Sequence, residues 1–165
     1  MANTNAPHGF CLWSQIGAGT TTVLSPAQLK VPSAATLKVG DPIKSSVGLG
    51  YLAVGTNAVY GVVDSPVPGW NEVATQPHYP DIIPAVDSNI WRAQSIGTVN
   101  VTVGFMGVPA KKYRIGGTTS GYLGVDLSHS TGGVLQVIGL APGSALGTYA
   151  DLLVIFGRGA FYGVA

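Results

Sequence analysis

Few side chains in this sequence have the types and spacing that chemistry needs. The three histidines and the single cysteine, His8, His78, His129 and Cys11, are scattered, and no His-x-x-His or Cys-x-x-Cys pair preorganises a tetrahedral metal site. His78 and Asp81 stand three apart in a proline-rich stretch, where solvation is the expected state. Ser128-His129-Ser130 sets a histidine beside hydroxyls, but neighbours along a strand point to opposite faces, so an exposed loop histidine is expected. Ser120 and Ser144 have nearby glycines at the wrong spacing for a nucleophile elbow. "GAGTTT" (17–22) lacks the third glycine of a dinucleotide fingerprint and runs into Pro26 rather than a helix. These readings assign no catalytic, cofactor-binding or metal-binding residue, and the chain is expected not to be an enzyme.

What remains is contact chemistry. Lys111, Lys112 and Arg114 form the one local charge run. They suit either an acidic patch on a partner or a charged strand edge that blocks aggregation. Trp70, Tyr79 and Trp91 suit an interface, where aromatics are enriched, or a platform for stacking a sugar. The opening "MANTNAPHGF" is polar, uncharged and poor in folding signals. Residues 1–9 are therefore expected to be an extended N-terminal arm, with Ala2, Asn3, Thr4, Asn5, Ala6, Pro7 and His8 as its contact residues. The bland reading of the same stretch is a frayed terminus.

Composition narrows the partners. Only 9% of the 165 residues are charged and the net charge is +1, against roughly 25% charged in an average soluble domain. Such a surface is poorly protected against self-association, which suggests that partners cover much of it. Nucleic acid is not expected, because neutralising phosphates needs a basic face. One cysteine excludes an intrachain disulfide. No signal peptide and no uninterrupted run of ~20 apolar residues is visible, so no membrane partner is expected.

The elements that must carry these residues read as strands. "TVNVTVGF" (98–105) alternates strictly, with Val99, Val101, Val103 and Phe105 on one face, as a half-buried strand does. "QLKV" and "TLKV" place Leu29, Val31, Leu37 and Val39 inward, and "KYRI" does the same with Tyr113 and Ile115. "VYGVV" (59–63), "VLQVIGL" (134–140) and "DLLVIF" (151–156) are continuously apolar, as strands buried on both faces are. Gly and Pro turns punctuate them. The pattern predicts an all-β fold, a small sandwich or barrel with long loops and very little helix. A single turn at Ser25-Pro26-Ala27-Gln28 is the one helical expectation. After the arm, residues 10–165 read as one β-rich domain. It has a long Pro-rich loop at 64–90 and a Gly/Ser/Thr-rich connection at 116–133.

Taken in order, several blocks resemble the capsid decoration, or cement, proteins of tailed bacteriophages. They are "MANTNAPHGF", "LKVGDPIKSS" (37–46), "VYGVVDS" (59–65), "VDSNIWRAQ" (86–94) and, most closely, "GYLGVDLSHSTGGVLQVIGLAPGSALGTYADLLVIFGRG" (121–159). The chain departs from the family's polar last strand by ending in "GRGAFYGVA". The resemblance implies a structural virion protein without cofactors. It would be made in the host cytoplasm and bind, often as trimers, to the outer surface of the expanded head, where it bridges major capsid protein subunits. There the arm would lie extended on a capsid subunit or a neighbouring copy. A carbohydrate-binding or fibre-like adhesin domain is the other reading.

Overall fold

The structure, a computed structural model, describes residues 3–6, 8–15, 27–28, 30–32, 37–65, 80–86, 88–117 and 121–157. Its strands are β1 (Cys11–Gln15), β2 (Ala27–Gln28), β3 (Pro42–Ser46), β4 (Leu49–Leu52), β5 (Gly61–Ser65), β6 (Asp81–Pro84), β7 (Asn89–Gln94), β8 (Arg114–Gly117), β9 (Leu123–Asp126), β10 (Leu135–Leu140) and β11 (Asp151–Phe156). They form one sheet in the order β1-β7-β11-β10, a second in the order β2-β6-β5-β3-β4, and the β8-β9 pair. Among the described residues all strand pairs are antiparallel, and neither sheet closes into a barrel. The all-β expectation holds.

The first sheet is built from alternation. In β11, Leu152, Val154 and Phe156 are buried, and their neighbours Leu153 and Ile155 are half-buried. Leu135 and Val137 of β10, and Trp91 and Ala93 of β7, line the same inner face. Trp91 meets Phe156 edge-on with ring centroids 5.7 Å apart, and Phe10 packs on Phe156 at 5.4 Å. Val62 of β5 and Ile115, Leu123 and Val125 of β8-β9 join this core. A smaller cluster holds Val31, Leu37, Ile43 and Val63. Burying each large side chain contributes about 1.5–3 kcal/mol.

Several expectations need correction. β10 and β11 are not buried on both faces; each buries one and leaves the other half-exposed. β5 does sit between two cores, with Val62 in one and Val63 in the other. In 98–105 only Val101 pairs, through an isolated bridge to Gly147. The chain then turns into a 3-10 turn at Val103–Phe105, leaving Val103 72% exposed. Val39 is exposed rather than inward. Ala27 and Gln28 form a strand rather than a helical turn. The Pro-rich stretch contains β6 and the start of β7, and the 116–133 connection contains β9. Leu29, His78, Ser120 and "GAGTTT" lie outside the described residues.

One close approach fixes where β1 starts. Gly9 (φ +76°) and Gly40 (φ +87°) lie back to back, and a Cβ on Gly9 would meet the Gly40 carbonyl oxygen at 2.8 Å. That contact lets the Phe10 N–H donate to the Gly40 carbonyl at 2.8 Å and seats the Phe10 ring in the core.

Candidate functional site

β1 lies at the edge of its sheet, paired on one side with β7. Among the described residues no strand pairs with its other side. Cys11, Leu12, Trp13 and Ser14 are all exposed, Leu12 to 38% and Trp13 to 44%. The register shifts between Leu12 and Ser14, a bulge that turns Trp13 over the Arg92 guanidinium, 5.9 Å from the ring centroid. Beneath the strand is a cavity of about 280 Å³, lined by Phe10, Leu12, Val39, Val62, Val63 and Trp91 among others. This is near the small end of ligand pockets (~300–1,000 Å³). An open strand edge carries unpaired backbone donors and acceptors, and can accept an added strand.

The N-terminal residues that precede β1 are docked on their own chain, against β7, β11 and the turn before β11. The Asn3 side chain donates through Nδ2 to the carbonyls of Ala145 (2.8 Å) and Thr148 (3.1 Å), and its Oδ1 accepts from the Ala145 N–H at 3.0 Å. The Gln94 amide reads the backbone twice: Nε2 donates to the Thr4 carbonyl (2.9 Å) and Oε1 accepts from the Ala6 N–H (3.1 Å). Gln94 is opposite Asp151 across the sheet, and His8 Nε2 lies 3.4 Å from Asp151 Oδ1. Residues 3–6 and 8 thus lie across the outer face of the first sheet. Four side chains, Asn3, Gln94, His8 and Asp151, make the crossing specific. Within the expected extended arm, Asn3, Thr4, Ala6 and His8 find hydrogen-bond partners in the rest of the chain. Asn5 is exposed; Ala2 and Pro7 lie outside the described residues.

The other candidates separate. Trp91 is fully buried in the core, and its Nε1 has no hydrogen-bond partner, so it offers no surface platform. Trp70 and Tyr79 lie outside the described residues. Lys111 Nζ donates to the Gly104 carbonyl (2.8 Å) and sits 5.7 Å from the Phe105 ring. Lys112 Nζ donates to Gln136 Oε1 at 3.1 Å. Arg114 is half-buried with Nε unpartnered, and Tyr113 and Ile115 point inward as the alternation predicts. Lys111 and Lys112 are thus tied to local groups.

Asp126, Ser128 and His129 do come together, but not as a catalytic relay. His129 turns the same nitrogen, Nδ1, toward both Ser128 Oγ (2.9 Å) and Asp126 Oδ2 (3.2 Å). A relay needs one ring nitrogen for the nucleophile and the other for the carboxylate. Burial works to raise the Asp126 pKa, and the hydrogen bonds from Ser128 and His129 outweigh it, so the carboxyl titrates below its ordinary value. Ser144 is structural, its Oγ accepting from the Asp151 N–H at 2.9 Å.

Two local features break ordinary rules. Asp41 is 3% exposed; burial pushes its pKa up to about 6, although Oδ2 accepts from the Lys38 N–H at 2.8 Å. Its Oδ1 has no partner. The β3-β4 hairpin turns through Val47 (φ 50°) and Gly48 (φ 74°). Positive φ at both loop residues is the demand of a type I′ turn, which favours Asn-Gly; a β-branched residue there is strained. That valine is 98% exposed.

The residues that sequence reading passed over are Leu12, Trp13, Val47 and Gln94. Leu12 and Trp13 follow Phe10 in an apolar run that reads as core, and nothing in the run says that the strand lies at an edge. Val47 carried a signal, since Val-Gly stands where a tight hairpin wants Asn-Gly. Comparison with protein-family models, curated proteins and solved structures found no match for this chain.

Proposed function

We propose that this protein is a structural virion protein that binds the outside of the expanded phage head and bridges major capsid protein subunits, acting with further copies of itself. The observation that supports this reading best is the edge of β1, unpaired on one side among the described residues, with Leu12 and Trp13 exposed and Leu12 lining a mostly apolar cavity. A strand from a capsid subunit added there would satisfy the free backbone groups. An apolar side chain of that strand would fill the cavity. Low charge fits a surface that partners cover, and the ordered sequence blocks supply the resemblance to decoration proteins. The adhesin reading loses support, because one of its three aromatic residues, Trp91, is in the core.

The test is co-sedimentation of the purified protein with expanded, undecorated heads and with unexpanded procapsids. Saturable binding to expanded heads, lost in a folded Leu12→Lys/Trp13→Lys variant, is expected. Absence of binding to shells of the matching phage overturns the proposal. Equal binding by the variant overturns the role of the β1 edge.

A further inference from the structure

Cys11, His8 and Asp151 form an array that the structural role does not use. The Cys11 side chain shares the outer face of the sheet with Arg92, its register partner, and is exposed. Its sulfur lies 3.6 Å from His8 Nδ1. The opposite ring nitrogen, Nε2, lies 3.4 Å from Asp151 Oδ1. Arg92 holds the other carboxylate oxygen, Oδ2, donating through Nε at 3.1 Å and through its terminal nitrogen as well. Here each imidazole nitrogen has its own partner, the division that the Asp126 cluster lacks. It is also the arrangement in which a carboxylate orients a base toward a nucleophile. The same division rules out chelation, since one metal ion cannot be reached from both sides of a ring.

We infer that Cys11 is a nucleophilic thiol with His8 as its general base and Asp151 as the residue that positions the base, and that it captures low-molecular-mass disulfides of the glutathione disulfide class. Thiol–disulfide exchange needs a proton acceptor and open access to sulfur, and this site supplies both. Acyl transfer needs in addition donors converging on an oxyanion, a requirement that thiol–disulfide exchange does not have. In the exchange the thiol proton passes to His8 Nδ1 and the sulfur attacks one sulfur of the disulfide. The old S–S bond breaks as the new one forms, and the departing thiolate takes the proton from His8 and leaves as a thiol. Cys11 is oxidised to a mixed disulfide, and the departing half of the reagent is reduced. With one cysteine in the chain, no internal thiol can resolve the product, so it persists until a second molecule's thiol arrives.

The groups facing His8 are Cys11 from β1, Asp151 from β11 and Arg92, which reaches it through Asp151 from β7. The contact with Cys11 raises the His8 pKa most, burial opposes it, and Asp151 adds to the rise. A general base must be neutral, so the reaction is expected to accelerate as pH rises through the His8 titration.

The experiment follows reaction of the intact protein with 5,5′-dithiobis(2-nitrobenzoic acid) and with glutathione disulfide, across pH, for wild type, His8→Gln and Cys11→Ser. Wild type is expected to release one equivalent of thiol and Cys11→Ser none. His8→Gln is expected to react about tenfold more slowly and to lose the bend in the pH–rate profile. Tenfold is below the ~10²–10⁴ of an enclosed general base, because the site is half-exposed. Superimposable profiles for wild type and His8→Gln overturn the assignment. So does a wild-type rate no greater than that of free glutathione thiol at the same pH, a comparison that holds even if the variant fails to fold.

Discussion

Replacing Asp41 with asparagine should stabilise this protein at neutral pH and do little in acid. The carboxyl is raised from 3.8 to about 6 by burial, so the folded state holds its proton more tightly than the unfolded chain. A group shifted upward stabilises the fold fully below its unfolded pKa, and that contribution disappears as pH rises through the folded value. The window is therefore pH 3.8 to about 6. One pKa unit is about 1.36 kcal/mol, so the ionised carboxylate costs about 3 kcal/mol above the window and about 0.5 kcal/mol near pH 4. Asparagine retains an acceptor for the Lys38 N–H and cannot ionise. Its amide N–H₂ would take the position of the unpartnered Oδ1, and that partial desolvation removes about 1–2 kcal/mol of the gain. The net expectation is Asp41→Asn more stable by about 1–2 kcal/mol near pH 7. The difference between the two proteins should change by about 2 kcal/mol between pH 4 and pH 7. Urea denaturation of both at several pH values reads this directly, as a relative midpoint shift of about 1 M for a slope near 2 kcal/mol/M. Taking the difference cancels other titrating groups, His8 and Asp126 included. A pH-independent difference would refute the reasoning.

Two further substitutions test the fold. Val101→Asp places an unpaired charge at a buried position and should unfold the domain or cost more than about 3 kcal/mol, whereas Val103→Asp, two residues on, should change stability by less than about 0.5 kcal/mol; circular dichroism melts distinguish them. Val47→Asn should raise stability by about 1 kcal/mol, because asparagine accepts the positive φ that valine resists. A lowered denaturation midpoint would show that the turn is not strained.

The contrast between Val101 and Val103 shows what alternation can and cannot report. It records which side of a segment prefers the core, and for Tyr113 and Ile115 that was sufficient. It does not record whether a partner strand exists. Val101 has only a single bridge partner, in the reciprocal bonds with Gly147 at 3.0 and 3.1 Å; after it the Phe105 N–H turns back to the Thr102 carbonyl, and the pattern continues without a sheet. Proline misled in the other direction. Pro84 closes β6, an interior strand, because the Ala85 N–H continues the ladder to the Tyr60 carbonyl. At the candidate site the missing information was long-range. Cys11 and His8 stand three apart in the sequence, but Asp151, which completes the array, is brought in only by the pairing of β7 with β11.

The order β1-β7-β11-β10 also dictates a sequence of events during synthesis. β1 is made first but must wait for β7, and β7 remains open on its other side until β11 emerges. Nearly the whole chain must therefore leave the ribosome before this sheet can close. Pairings so distant in sequence make folding slow, and the apolar face of β7 is exposed throughout that interval. A growing chain of this design is a natural client for a chaperone, and truncation within β11 should yield insoluble protein rather than a smaller folded domain.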